Sequence, residues 1–273
     1  MSLIAITPED FAAKSWRRSA GYAFAAKANI LPVTAAELSH LVPAMPLGFV
    51  QMDTAFQLVA IAALQPGTNF FVAPDGRWLG DYVPAALRAY PFQLVKPQDR
   101  EESVLCIDGD SGLLADAGQG EAFFDEAGAP SQAVKEVLGF LSQIENSRVA
   151  TQAAVDELQA AELIQSWPLN LQQGEQTLPV AGLYRIDEAA LNALSEEAFL
   201  ALRKAGALPV AYAQLLSMNQ LGKLQQAAGL QARMREQAQG ASQSRAEARP
   251  TNQTPTIADL GFRMSEGGTF KFS

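Results

Sequence analysis

In the first half of the chain, apolar residues come in short runs of strand length. In the second half they recur at helical spacing. Leu47-Gly48-Phe49-Val50-Gln51-Met52 and Gln57-Leu58-Val59-Ala60-Ile61-Ala62-Ala63-Leu64 predict two strands, with Asp53-Thr54-Ala55 as a hairpin connection. Asn69-Phe70-Phe71-Val72 predicts a third strand of the same meander. Pro74-Asp75-Gly76-Arg77 then turns the chain, because Pro presets φ and Gly accepts a positive φ. Trp78-Leu79 starts the return, and Tyr22-Ala23-Phe24-Ala25 alternates as an early strand would.

Helix signals punctuate this pattern. Thr7 as N-cap and Pro8 at the first helical position predict a helix over 8–18. Thr34 with Glu37 three residues later is a capping box, and Pro43 and Pro46 end that helix. Pro84 opens a further helix that Pro91 keeps short, since the residue before proline disfavours the α conformation. From Pro130 helices dominate. Residues 131–146 place Val134, Val137, Leu138 and Leu141 on one face, and 149–161 follow as a second helix. After a strand-like stretch over 178–186, Asp187 caps a helix over 188–194, Ser195 opens another that stops at Gly206, and Pro209 starts a long one through Tyr212, Leu215, Leu216, Leu221 and Leu224.

The pattern changes again after Gly229. Residues 231–239 are helix-forming but polar, and 240–256 are a Gly, Ser, Gln and Pro linker with almost nothing to bury. Hydrophobes then return as Ile257, Leu260, Phe262, Phe270 and Phe272. The expected fold is therefore α+β: an antiparallel, β-rich first half with short helices, a helical second half, and an extended C-terminal arm. One main domain spans 1–230, with lobes 1–127 and 130–230 as the alternative. Residues 231–256 are a polar helix end and flexible linker, and 257–273 a docking arm. A terminal strand is not stable alone, so it would add to an exposed sheet edge, its own or that of a neighbouring subunit.

Composition narrows the function. Of 273 residues 48% are apolar, enough for a large core without disulfides. The net charge of −9 is unevenly placed: residues 1–230 carry −11 and residues 231–273 carry +2. An acidic body disfavours nucleic acid and anionic membranes as partners. No apolar run reaches the ~18 residues of a spanning helix, and Pro8-Glu9-Asp10 cuts off any signal-peptide core. The expectation is a protein made soluble in the cytoplasm, without an N-terminal signal.

Candidate chemistry is sparse. Cys106 is the only cysteine and sits in an apolar run, while His40 is the only histidine, so a Cys–His pair has one composition available and a buried thiol is the simpler reading. Asp108-Gly109-Asp110-Ser111-Gly112 resembles a calcium loop but lacks the EF-hand ligand order and closing Glu; a hairpin with its acids in water fits as well. No P-loop, dinucleotide fingerprint, nucleophile elbow or zinc motif occurs. No metal, cofactor or catalytic residue is assigned. Arg88, flanked by Tyr82 and Tyr90 and near Trp78, is the candidate ligand site: aromatics and a fixed guanidinium can grip a carboxylate, phosphate or peptide terminus. The plain alternative is an Arg that ties a loop and a Trp that fills the core.

Several of these stretches resemble the bacterial SapC family, as distinct from the peptide-transport permease of the same label. They are Tyr22-Ala23-Phe24-Ala25 with Leu31-Pro32-Val33, Gly67 to Val72, Gly76-Arg77-Trp78, Tyr82-Val83-Pro84-Ala85, Arg88 to Phe92, Leu105 to Asp108, Gly182 to Glu188, and Tyr212 to Met218. The resemblance covers about Ala20 to Leu224 and leaves the tail as an addition. It implies no catalytic residues to carry over; the family name comes from an association with a paracrystalline surface layer. Gln214 departs from the pattern, where the family often has His. The reading is a non-catalytic structural or binding protein docking on a larger assembly, such as a surface layer or phage virion, through neighbouring subunits or a homo-oligomer. The alternative is a cytoplasmic small-molecule or peptide-binding protein, an enzyme or enzyme accessory among them.

Overall fold

The computed structural model describes residues 2–97, 102–173 and 176–247. Residues 1–232 form one compact unit and 233–273 a second; the arm with Ile257, Leu260, Phe262, Phe270 and Phe272 lies outside the described residues. The fold is α+β with every paired strand antiparallel, strands mostly in the first half and helices in the second.

Near the N-terminus, β1 (Leu3–Ala5) leads to α1 (Pro8–Phe11), whose N-cap Thr7 accepts from the Asp10 N–H. The start of this helix is as expected, but it does not run to residue 18. Lys14–Trp16 forms β2, the middle strand of a three-stranded sheet, because Ser15 and Trp16 are buried there and packing overrides helix propensity. Tyr22–Ala25 is also not a strand. Ala23–Ala25 makes one 3-10 turn, closed by Ala25 and Ala26 N–H bonds to the Tyr22 and Ala23 carbonyls; four alternating residues are too few to fix a strand without a neighbour to pair with.

β3 (Ile30–Pro32) precedes the Thr34 capping box, which opens a 3-10 turn and then α2 (Leu38–Leu41). β4 (Leu47–Met52) and β5 (Ala55–Ile61) form the expected hairpin, with a tighter connection. Met52 pairs directly with Ala55, so the turn has two residues, and Asp53 takes the positive φ of 55° that such a turn demands. The outer neighbour of β5 is β3 rather than residues 69–72, which make only a single bridge, Val72 to Trp78, around the Gly76 turn. α3 (Ala85–Arg88) is short as expected, with Pro84 as its N-cap.

β6 (Phe92–Val95) pairs with β7 (Val104–Asp108), and β7 with β1. β8 (Leu114–Asp116) and β9 (Glu121–Ala122) flank β2. Next comes α4 (Gln132–Ala160), one helix of 29 residues where the sequence suggests two. Asn146-Ser147-Arg148 holds neither Gly nor Pro, and poor formers cost only tenths of a kcal/mol each, ~0.7 at most. Burial of Thr151, Ala154, Val155 and Leu158 carries the helix past them.

The chain continues through β10 (Ile164–Ser166), the hairpin of β11 (Leu169–Gln173) and β12 (Gln176–Val180), and β13 (Tyr184–Ile186). The helices α5 (Glu188–Asn192) and α6 (Glu196–Lys204) start at the predicted caps Asp187 and Ser195, and Gly206 is left-handed as the stop signal requires. α7 (Ala207–Ser217) begins two residues before Pro209. A 3-10 turn over Met218–Gln220 separates it from α8 (Leu221–Glu247), whose end runs into the stretch read as linker.

Two cores result. The larger gathers Leu31, Leu41, Met45, Leu47, Phe49, Leu58 and Ile61 with Val155, Leu158, Leu163, Ile186, Leu202 and Val210; it lies on the five-stranded sheet β10-β13-β4-β5-β3. The smaller holds Phe11, Trp16, Phe92, Ile107, Phe123, Val134 and Leu141. They interleave along the chain instead of dividing it at residues 127–130, and α4 belongs to both.

Candidate functional site

The buried carboxylate of Glu37 organises the region around Arg88. Its Oε2 accepts from the Thr34 N–H at 3.1 Å and the Thr34 hydroxyl at 3.3 Å. Its Oε1 accepts from the Ala85 N–H at 2.6 Å, the first turn of α3, and from the Tyr82 hydroxyl at 3.1 Å. One side chain thus satisfies orphan N–H groups at two helix starts. From α4, Thr151 Oγ1 and Ser147 Oγ accept from the Ala35 and Ala36 N–H groups at 2.8 and 3.3 Å, completing the cap of the first.

Tyr82 passes this order outward. Its ring stacks on His40, centroids 5.1 Å apart, and its hydroxyl accepts from Arg88 Nη2 at 3.1 Å while donating to Glu37. Burial, then the Glu37 charge, raises the Tyr82 phenol above its ordinary range. The Arg88 guanidinium lies 5.6 Å from the Tyr82 ring centre and 5.0 Å from that of Phe140 on α4. Both rings lie within cation–π range of it. Among the described residues no carboxylate forms an ion pair with it.

Arg88 opens onto a cleft of about 380 Å³ walled by the Trp16–Phe24 segment, the end of α3 and the first turns of α4. Tyr90 forms part of the wall and stacks on Phe24 at 3.7 Å. Burial, then the neighbouring Asp108, pushes its phenol up. A second guanidinium, Arg18, lines the same cleft but is bound by both oxygens of Glu121, at 2.6 and 3.1 Å; these bonds hold its pKa up, with Glu136 adding a little. The cleft therefore offers the Arg88 guanidinium, without a carboxylate partner among the described residues, the paired Arg18, Glu136, and several aromatic faces. Such a set can hold an anion with an apolar body.

Of the sequence candidates, Arg88 and Tyr82 meet directly, and Tyr90 shares the cleft with Arg88. Trp78 is not in the cleft wall. Its indole N–H donates to the Tyr82 carbonyl at 2.8 Å and its ring packs on Phe71 and Tyr22. Arg18, Phe24 and Phe140 were not foreseen. Phe140 had a signal, as an aromatic beside the helical stripe of Val137 and Leu141; the others are placed by folding alone.

The remaining candidates take structural places. Cys106 is buried in β7, where burial raises its thiol pKa, while His40 lies against Tyr82. Asp108, expected in water, is buried and caps the turn at Gly109–Ser111. Among the described residues no cluster of three or more His, Cys, Asp or Glu can hold a metal ion, and no helix is long and apolar enough to cross a membrane. Gln214 is fully buried: it accepts from the Ile186 N–H at 2.9 Å and donates to the Leu47 carbonyl at 3.2 Å, joining β13 to β4, which pair directly only at Tyr184 and Phe49.

No curated protein and no solved structure matches the chain. The SapC family model matches residues 6–224, a span that holds both cores' residues, the Glu37–Tyr82–Arg88 chain and the whole cleft wall, and the protein belongs to the SapC family.

Proposed function

We propose that this SapC-family protein is a non-catalytic binding protein that docks on a larger assembly, such as a surface layer or a phage virion. Its cleft beside Arg88 takes a carboxylate-bearing group of the partner. The observation that supports this reading is Arg88 itself, which bonds the Tyr82 hydroxyl and lies over the Tyr82 and Phe140 rings in a cleft wall, yet has no carboxylate partner among the described residues. A preformed fork of this kind recognises a carboxylate bidentately at little ordering cost. Ile257, Leu260, Phe262, Phe270 and Phe272 are proposed as a second contact, a docking arm on a neighbouring subunit; the residues 248–256 between the end of α8 and the arm are long enough for ~30 Å of reach if extended.

Calorimetry with short peptides tests the cleft. Peptides with a free carboxylate should bind, and Arg88→Ala should weaken them about tenfold or more. Binding that ignores both Arg88→Ala and amidation of the carboxylate overturns the reading. For the arm, deleting 241–273 should leave the melting temperature of the body nearly unchanged and abolish incorporation into the assembly.

A second reading rests on the cleft's size, which lies within the ~300–1,000 Å³ of small-molecule sites. In it, the ligand is a free organic acid or amino acid. A thermal-shift screen with such acids separates the two: shifts lost in Arg88→Ala favour the small ligand, and shifts with peptides alone favour docking.

A further inference from the structure

A second cleft, of about 430 Å³, adjoins the first. It shares Phe24, Leu87, Ala89, Tyr90 and Phe92 with it, and is otherwise bounded mainly by Leu141 and Ile144 of α4 and by Gln93 and Leu94 of β6. The two clefts follow one face of α4. Glu136, Val137 and Phe140 line the first, and Leu141, Ile144, Glu145 and Arg148 the second. From 136 to 148 the helix rises about 18 Å, at 1.5 Å per residue.

β6 is the end strand of its sheet, and the register says which backbone groups are left over. Asp108 donates to the Pro91 carbonyl, so Pro91 and Asp108 are a hydrogen-bonded pair. With Phe92 opposite Ile107 and Gln93 opposite Cys106, the bonded positions alternate, and Gln93 and Val95 face β7. Phe92 and Leu94 face away. The Phe92 N–H is already used, donating to the Ala89 carbonyl at 2.8 Å. The N–H and carbonyl of Leu94 and the carbonyl of Phe92 remain without a partner among the described residues, beside an apolar cleft.

We propose that this second cleft accepts a strand. An extended peptide segment of a partner protein adds to the free edge of β6 through Leu94, places apolar side chains between β6 and α4, and sets an acidic side chain or terminal carboxylate on Arg88. Strand addition supplies affinity through backbone bonds and specificity through alternate side-chain pockets. Charge sets the direction. At the far end Arg148 is already neutralised by Glu145 at 2.7 Å, so the acidic end belongs at Arg88. Five or six extended residues, at about 3.3 Å each, match the 18 Å of groove. Lys96-Pro97 immediately after β6 keeps the edge short, as an edge kept free of indiscriminate pairing requires. The acidic end rests on the Arg88 reading above; the strand addition does not.

The test selects binders to the full chain from a display library of random eight-residue peptides, then resynthesises them. Amide hydrogen exchange should slow at Leu94 on binding. N-methylation of the peptide amide that pairs there should weaken binding on the order of tenfold, in wild type and in Arg88→Ala alike. Binding sensitive to Arg88→Ala with no protection of Leu94 and no N-methyl effect overturns the strand and leaves the carboxylate reading intact. Protection and N-methyl sensitivity without any Arg88 dependence keeps the strand and removes the acidic end. If no binders emerge, or if Leu94 becomes protected with rising protein concentration in the absence of peptide, the occupant is not a partner peptide; in the latter case it is a second copy of the chain.

Discussion

Glu37 accepts the backbone N–H of Ala85 at 2.6 Å, although 48 residues separate them, so the start of α3 is fixed by a carboxylate whose first task is capping its own helix. Removing it orphans the Thr34 and Ala85 N–H groups and the Tyr82 hydroxyl together. A buried unsatisfied donor costs ~1–3 kcal/mol. Glu37→Ala is therefore expected to lower unfolding free energy by about 3 kcal/mol and Glu37→Gln by about 1. Urea titration measures both, and a loss below about 1 kcal/mol for the alanine variant contradicts the hub assignment.

Alkaline pH should act through the two raised phenols. The folded state holds Tyr82 and Tyr90 neutral to higher pH than the unfolded chain does. Their contribution is complete below the unfolded value of ~10 and is lost as pH rises through the folded values. Denaturation midpoints should fall above about pH 10. Tyr82→Phe should flatten part of that fall while costing about 1 kcal/mol at neutral pH through the lost Glu37 bond. An unchanged slope in both Tyr→Phe variants would count against this cause.

Gln214 joins two strands with one amide, and only a side chain that donates and accepts at once can replace it. Gln214→Leu should destabilise by about 2–3 kcal/mol. Gln214→His, with one imidazole nitrogen donating and the other accepting, should retain much of that. Equal losses for both would show that shape, not hydrogen bonding, decides the site.

Cys106 should resist thiol reagents in the native protein, since burial raises its pKa and shields the sulfur. Its labelling rate should follow unfolding in urea. Rapid labelling at neutral pH without denaturant would place the thiol outside β7.

Local signals were legible wherever the physics is local. Thr7, Thr34, Asp187 and Ser195 mark helix starts because a cap needs only residues three positions on. The turn at Gly76 and the β4–β5 hairpin follow in the same way. Pairings across distance were not legible: β2 over Lys14–Trp16 exists because residues about 100 positions later lie on both its sides. Gln231 reads as part of a polar helix end, yet its side chain is buried and donates to the Asn69 and Val72 carbonyls at 2.9 and 2.8 Å. The candidate site divides in the same manner. Arg88, Tyr82 and Tyr90 are close in sequence and were found together; Arg18 and Phe140 approach from elsewhere in the chain.

The interleaving of the cores sets an order of events during synthesis. Every residue of the smaller core has been made once Leu141 is added, so that core can close as soon as the first half of α4 has left the ribosome, ahead of the larger one. The larger core waits for Leu224. The apolar faces of β3, β4 and β5, finished by residue 61, gain cover from the second half of α4 only once residue 160 is made, and from α7 only once residue 217 is. The nascent chain thus carries its stickiest surface for most of its time on the ribosome, and chaperone occupancy, measured by ribosome profiling of chaperone-bound chains, should begin soon after β5 emerges and end only after α7 does.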